Sequence, residues 1–273
     1  MSKKIAIIGG GNLGTAIAEG LLKSKFSKAA DITITKRNIA TLQSMKEEGI
    51  KVTADNAAAV KNSDIIILAV KPYQVSDVLK SFKANLLSKH ILVSVVTGVL
   101  ISDIRDTIKI NIPVFRAMPN TAISIQQSIT CISHFNANAS QVGYIKDLFS
   151  ALGKVAMIDE KLMEAATVLG ACGTAYAMRY IRANIQGGIE IGFDAATASL
   201  IAAQTVKGAA ELLLQKGTNT ESGGRVRISR PDSARRDDRR SRARVRASAA
   251  CAATRQAWAL RFAGRGLERG RAS

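Results

Sequence analysis

The chain has 273 residues, 47% of them apolar and 22% charged, with a formal net charge of +18. That length and apolar content suit one large domain or two modest ones, and they exclude a disulfide mini-protein, a fibrous repeat and a wholly disordered chain. No apolar run approaches the roughly 20 residues that span a bilayer, and residues 1–4 lead straight into a strand pattern, so neither a signal peptide nor a membrane span is expected.

The charge divides unevenly. Residues 221–273 hold 15 Arg, 5 acids and no Lys, whereas Lys dominates the basic residues before them. Apolar periodicity stops at the same point. Three readings of this Arg-rich tail are open: a phosphate-binding segment, a solvated disordered tail with a helix near 249–262, or a segment foreign to the rest. No aromatic residue is interleaved with its arginines over 225–246, which argues against nucleic acid. Cys131, Cys172 and Cys251 are far apart and lack metal-ligand spacing, as suits a reduced cytoplasm; no metal site is expected.

In chain order, residues 4–8 (KIAII) read as a strand, 12–22 as a helix, 32–35 as a strand, 39–48 as a helix and 51–53 as a short strand. Residues 64–70 (DIIILAV) are almost wholly apolar, as in a parallel strand covered on both faces. A helix over 75–87 and a buried strand over 91–96 follow. Then come strands over 113–116 and 129–133, a helix over 140–152 and a strand over 155–158. Such alternation predicts a doubly wound α/β sheet over residues 1–160. Residues 161–185 and 194–216 are long Ala-rich helical segments with no strand between them. They predict an all-helical domain over 161–220, too apolar for helices standing alone and so packed against a partner subunit. His90 and His134, in Lys- and Ser-containing loops, read as surface residues.

Four places carry chemistry. Gly9, Gly10, Gly11, Asn12, Leu13 and Gly14 fit G-x-G-x-x-G between a strand and a helix, the fingerprint of a dinucleotide pyrophosphate site. At the end of the second strand stand Thr35, Lys36, Arg37 and Asn38, with no acid to take a ribose 2′-hydroxyl. Two cations there favour a 2′-phosphate, and hence NADPH over NADH. Ala69, Val70, Lys71 and Pro72 leave the fourth strand at its C-terminal end, where open α/β sheets bind ligands. Arg116 through Thr121 (RAMPNT) follow another strand and could line the same crevice, with Asn120 offering a donor and an acceptor.

Taken together, GGGNLG, the TKRN turn, LAVKP, RAMPNT and the 170–176 segment GACGTAY resemble the pyrroline-5-carboxylate reductase family, over about residues 3–217. The resemblance implies a Rossmann-type domain followed by a helical dimerisation domain, a homodimer or larger homo-oligomer, and NAD(P)H-dependent reduction of 1-pyrroline-5-carboxylate to L-proline. It implies that Gly9, Gly11, Asn12, Leu13 and Gly14 hold the pyrophosphate, and that Thr35 and Arg37, with Lys36, take the 2′-phosphate. Asn56, Ala69, Val70, Lys71 and Pro72 would bracket the adenosine and ribose. Thr97 and Gly98 would lie at the nicotinamide end, and Met118, Asn120, Gly173 and Thr174 at the substrate pocket. No catalytic acid–base pair is assigned, because a protonated imine is already electrophilic and needs mainly alignment.

The chain departs from the family pattern twice. Where the family has GSGPAY, Ala171, Cys172 and Thr174 replace the first glycine, the serine and the proline. After Gly217 the family's His-Pro pair and its T-S-P-G-G-T-T-I-like segment, which holds the substrate carboxylate, give way to Asn219-Thr220-Glu221-Ser222-Gly223-Gly224 and the Arg-rich tail. Impaired reductase activity is therefore expected. The alternatives are an NADP-dependent oxidoreductase of another small imine or carbonyl, or a non-catalytic NADPH-binding protein.

Overall fold

A computed structural model describes residues 3–216; the Arg-rich tail, with the readings attached to it, lies outside the described residues. Two compact units divide the chain, residues 1–207 and 208–273. Eight strands form one sheet in the order β3-β2-β1-β4-β5-β6-β7-β8. They are β1 (Ile5–Ile8), β2 (Ile32–Thr35), β3 (Lys51–Thr53), β4 (Ile65–Leu68), β5 (Ile91–Ser94), β6 (Val114–Met118), β7 (Ser128–Phe135) and β8 (Gly153–Met157). The first six run parallel, as the apolar runs predict.

Because strand side chains alternate, each central strand feeds two cores at once. Ile5 and Ile7 join one cluster with Ile17, Ala18 and Leu21 of α1 (Asn12–Lys23). Ala6 and Ile8 join a second, with Ala59 and Val60 of α3 (Asn56–Lys61), Val75, Leu79 and Phe82 of α4 (Val75–Phe82), and Ile101, Ile104 and Ile108 of α5 (Ile101–Ile108). Burying such a side chain fully is worth about 1.5–3 kcal/mol, and β1 and β4 bury every residue. Two short helices escape the periodicity reading. α3 spans under two turns and depends on Asp55, whose Oδ1 accepts from the Ala58 N–H at 3.0 Å. α5 carries the apolar spacing of Ile101, Ile104 and Ile108 in an otherwise polar octet. The segment expected as a helix over 39–48 is a 3-10 turn followed by α2 (Gln43–Glu47).

β7 is antiparallel to β6 and parallel to β8, so the last two strands run against the other six. After α6 (Ala139–Ser150) and β8, the helical part differs from one continuous helix over 161–185. α7 (Met163–Ala166) passes through a π turn at Thr167–Ala171 into α8 (Gly173–Glu190). α9 (Ala195–Lys216) follows and runs across the division into the second unit. Met178 and Tyr180 on α8 and Leu200 on α9 are each at least 61% exposed. Among the described residues, no helix is long and apolar enough to cross a membrane.

His90 corrects the sequence reading. Its side chain is fully buried just before β5, where Nδ1 accepts from the Leu87 N–H at 3.0 Å and Nε2 has no partner among the described residues. Burial, and then the neighbouring Lys89, push its pKa below 6.5. The unfolded chain therefore takes up this proton near pH 6.5 while the folded chain still excludes it. Stability is fully present above that pH and falls as pH drops toward the lowered folded value. Chemical denaturation between pH 7.5 and 5.5 should show this decline, and His90→Gln should flatten that part of the profile. An unchanged slope in the variant would remove His90 as its source. His134 is exposed, as expected, but it lies within β7 and not in a loop.

Candidate functional site

The last common rung of the parallel sheet runs Thr35–Ile8–Leu68–Ser94–Arg116. The segments that follow these residues therefore emerge along one edge, and the connections reverse direction between β1 and β4, the switch point where such sheets bind ligands. The Gly9 and Gly10 N–H groups donate to Thr35 O at 3.2 and 2.7 Å, and the Ala69 N–H donates to Ile8 O at 2.8 Å. Three loops are thereby tied together at the crevice.

The glycines are not equivalent. Gly9 has φ +116°, and a Cβ there would collide with the Ala69 carbonyl. A Cβ on Gly14 would collide with Gly9 O and crowd Ile7 Cγ2 at 3.3 Å, so helix and strand meet closely only because Gly14 lacks one. A Cβ on Gly11 would meet nothing within 4 Å. Gly11 opens onto free space at the start of α1, where it supplies no side-chain cap and no acid occupies the first turn. The positive end of a 12-residue helix thus faces outward beside an open backbone, an arrangement that fits a pyrophosphate. Asn12 is exposed and Leu13 half-buried at the same mouth.

At the end of β2, Arg37 and Asn38 are exposed and Lys36 half-buried, its N–H held by Thr53 O at 3.1 Å. Thr35 lies differently from the direct phosphate contact that the sequence implies. It is 2% exposed, and its hydroxyl donates to Asn56 Oδ1 at 2.7 Å. Asn56 Nδ2 donates in turn to Ser81 Oγ at 3.3 Å. Thr35 therefore fixes the amide of Asn56, while the cations beside it face outward. Ala69 and Val70 are half-buried; Lys71 is exposed, and Pro72 opens a 3-10 turn as its fixed φ favours.

Thr97 and Gly98 are exposed beyond β5, Gly98 with φ +75°, and the Thr97 hydroxyl lies 3.8 Å from Met118 Sδ. Met118 itself is buried, 4% exposed, beneath that loop. The Asn120 side chain is engaged on both sides: Oδ1 accepts from the Ala122 N–H at 3.1 Å and Nδ2 donates to Gly170 O at 3.3 Å. That carbonyl belongs to the π turn, so Asn120 joins the crevice edge to the start of the helices, beside half-buried Gly173 and Thr174. Sequence reasoning missed Ser81 and Glu160. Glu160 accepts from both Arg116 and Ile101, partners 44 and 59 residues away in sequence, with no local signal to reveal it.

The family model described as "NADP oxidoreductase coenzyme F420-dependent" matches residues 4–98, and that described as "Pyrroline-5-carboxylate reductase dimerisation" matches residues 160–230. Pyrroline-5-carboxylate reductase 1 of Dictyostelium discoideum is 44% identical over 229 residues, covering 80% of this chain; the chain spans only 42% of that relative's length. Pyrroline-5-carboxylate reductase 2 of the same organism is 40% identical over 237 residues, covering 81% of this chain and 79% of the relative. The crystal structure of Plasmodium falciparum pyrroline carboxylate reductase with NADP bound aligns with a TM-score of 0.70 at 26% identity, covering 78% of this chain and 79% of that one.

Proposed function

The chain belongs to the pyrroline-5-carboxylate reductase family, and from that premise we propose that it binds NADPH and reduces 1-pyrroline-5-carboxylate to L-proline. The observation that carries the reading is the open backbone at Gly11, set between the Gly9–Gly14 contact and the exposed Arg37 after β2. Gly11, Asn12 and Leu13 present backbone N–H groups to the pyrophosphate. Arg37, with Lys36, takes the 2′-phosphate, and Thr35 orients Asn56 beside the adenosine ribose, which Ala69, Val70, Lys71 and Pro72 flank. Thr97 and Gly98 form the nicotinamide end, with Met118, Asn120, Gly173 and Thr174 toward the substrate.

Bound NADPH supplies the hydride that adds to the imine carbon. The protonated ring nitrogen already carries its proton, so the chain's work is to align the two carbons and exclude water. Residues 1–160 act as the nucleotide-binding domain and 161–220 as the helical dimerisation domain of a cytoplasmic homodimer, with 221–273 as an appended Arg-rich tail.

One observation favours a second reading, a protein that binds NADPH without turnover. Residues 219–224 (NTESGG) stand where the family holds the substrate carboxylate, and Cys172 and Thr174 replace the serine and proline of its GSGPAY segment. NADPH oxidation with 1-pyrroline-5-carboxylate, measured on the full chain beside NADPH binding, separates the two. Turnover supports the reductase, binding without turnover supports the second reading, and the absence of both overturns the nucleotide site itself.

The homodimer has its own test. Exposed Met178 and Leu200 are large apolar groups of the kind that a subunit interface covers. Met178→Glu with Leu200→Glu should shift sedimentation at micromolar concentration to a monomer while NADPH binding persists. A dimer unchanged by the pair would place the interface elsewhere.

A further inference from the structure

Arg116 stands in β6, where all five residues are buried, and its own side chain is 1% exposed. A guanidinium withdrawn from water needs a carboxylate partner and further hydrogen bonds to offset its lost hydration. Here the pairing is incomplete. Nη1 donates to Glu160 Oε1 at 3.2 Å, whereas buried Nε has no partner among the described residues. An apolar side chain of similar length would occupy this place without that cost, so stability alone is a poor reason for an arginine here.

What the pair connects supplies a better reason. The same Oε1 of Glu160 accepts from the Ile101 N–H, the first residue of α5, at 2.8 Å. Four residues earlier, the Thr97 hydroxyl reaches Met118 Sδ at 3.8 Å. Arg116 and Met118 are two apart on one strand and so share a face. The loop over 97–101, with Gly98 in the left-handed region, is thus pinned to β6 at both ends. One pin is Thr97 on Met118; the other is Ile101 on Glu160 on Arg116. A loop held this way is ordered before a ligand arrives, and binding then spends less free energy on ordering it. The neighbouring Leu100 N–H is held by Asp103 Oδ2 at 3.1 Å, so the start of α5 is closed by carboxylates and is not itself an anion site.

We propose that Arg116 and Glu160 are positioning residues that hold the 97–101 loop as a preformed wall for the nicotinamide half of NADPH. This rests on the cofactor reading above. The adenosine half binds at the other side of the crevice, against Gly11, Lys36 and Arg37, and owes nothing to this clip. The two halves therefore respond differently when the clip is broken.

The test compares NADPH with 2′,5′-ADP, which carries only the adenosine half, by equilibrium binding to the full chain. Arg116→Met removes the buried charge and leaves Glu160, which is partly exposed, free to be solvated. It should weaken NADPH by about five- to tenfold, the loss expected when a charged hydrogen bond no longer orders the loop. Affinity for 2′,5′-ADP should stay within about twofold, inside the scatter of an uncoupled site. Glu160→Gln retains an acceptor for Ile101 and should fall between wild type and Arg116→Met. Faster hydrogen exchange at the Ile101 amide should accompany the weakening. Equal losses for both ligands would mean general destabilisation, and unchanged NADPH affinity with an unchanged Ile101 amide would mean that the clip positions nothing; either overturns the proposal. Failure of the wild-type chain to bind NADPH would defeat the cofactor reading instead.

Discussion

Gly14→Ala is expected to remove NADPH binding at micromolar concentration and to lower the stability of the fold. The added methyl would overlap the Gly9 carbonyl, a backbone atom with nowhere to go, and press on Ile7 Cγ2 at 3.3 Å. Overpacking of this kind costs about 1–3 kcal/mol, and more where backbone must shift. Relief comes only if α1 slides away from β1, which carries the open backbone at Gly11 out of line with the crevice. We expect NADPH affinity to fall about a hundredfold or more, equivalent to about 2.7 kcal/mol, and the thermal midpoint to fall with it. Gly11→Ala is the control. Its methyl would meet nothing among the described residues, so stability should hold while NADPH affinity falls through obstruction of the pyrophosphate. If Gly14→Ala binds NADPH normally, the close contact of α1 and β1 does not shape the site.

The second large effect is expected at Arg37. Its side chain is exposed at the end of β2, while Thr35 beside it is buried and committed to Asn56. A hydrogen bond to a charged group contributes about 1.5–3 kcal/mol, and a carboxylate in its place adds repulsion against a phosphate. Arg37→Glu should therefore raise the Kd for NADPH by about 30- to 100-fold at low salt, with the difference narrowing as salt rises. NADH lacks the 2′-phosphate, and its affinity should change little. Parallel losses for NADPH and NADH would show that Arg37 supports the loop without reading the phosphate.

How far the sequence alone reaches depends on whether an interaction is local. The glycine turn is contiguous, and Gly9 and Gly14 meet the steric demands that its spacing implies, while Gly11 stands open. The parallel core was legible because β1 and β4 are apolar on both faces, and such runs have few other homes. Strand direction was not: periodicity in Ser128–Phe135 is the same whichever way the strand points, so the reversal at β7 left no mark. The π turn at Thr167–Ala171 was hidden for a similar reason, since its residues suit an ordinary helix. His90 was misread because Ser88 and Lys89 beside it suggest a solvated loop, although the ring turns inward. Thr35 carried the right motif and a different task, and only its partner Asn56, 21 residues on, reveals it. The Arg116–Glu160 pair joins residues 44 apart and could not be read locally at all.

The unequal glycines also bear on descent. Gly9 and Gly14 are held by the protein's own packing, so selection for folding alone would keep them in a lineage that had abandoned the nucleotide. Gly11 has no such protection. A methyl there would touch nothing among the described residues, and once ligand binding ceased to matter the position would be free to drift. On the cofactor reading proposed above, Gly11 is therefore the one of the three whose retention the packing of the described residues does not explain.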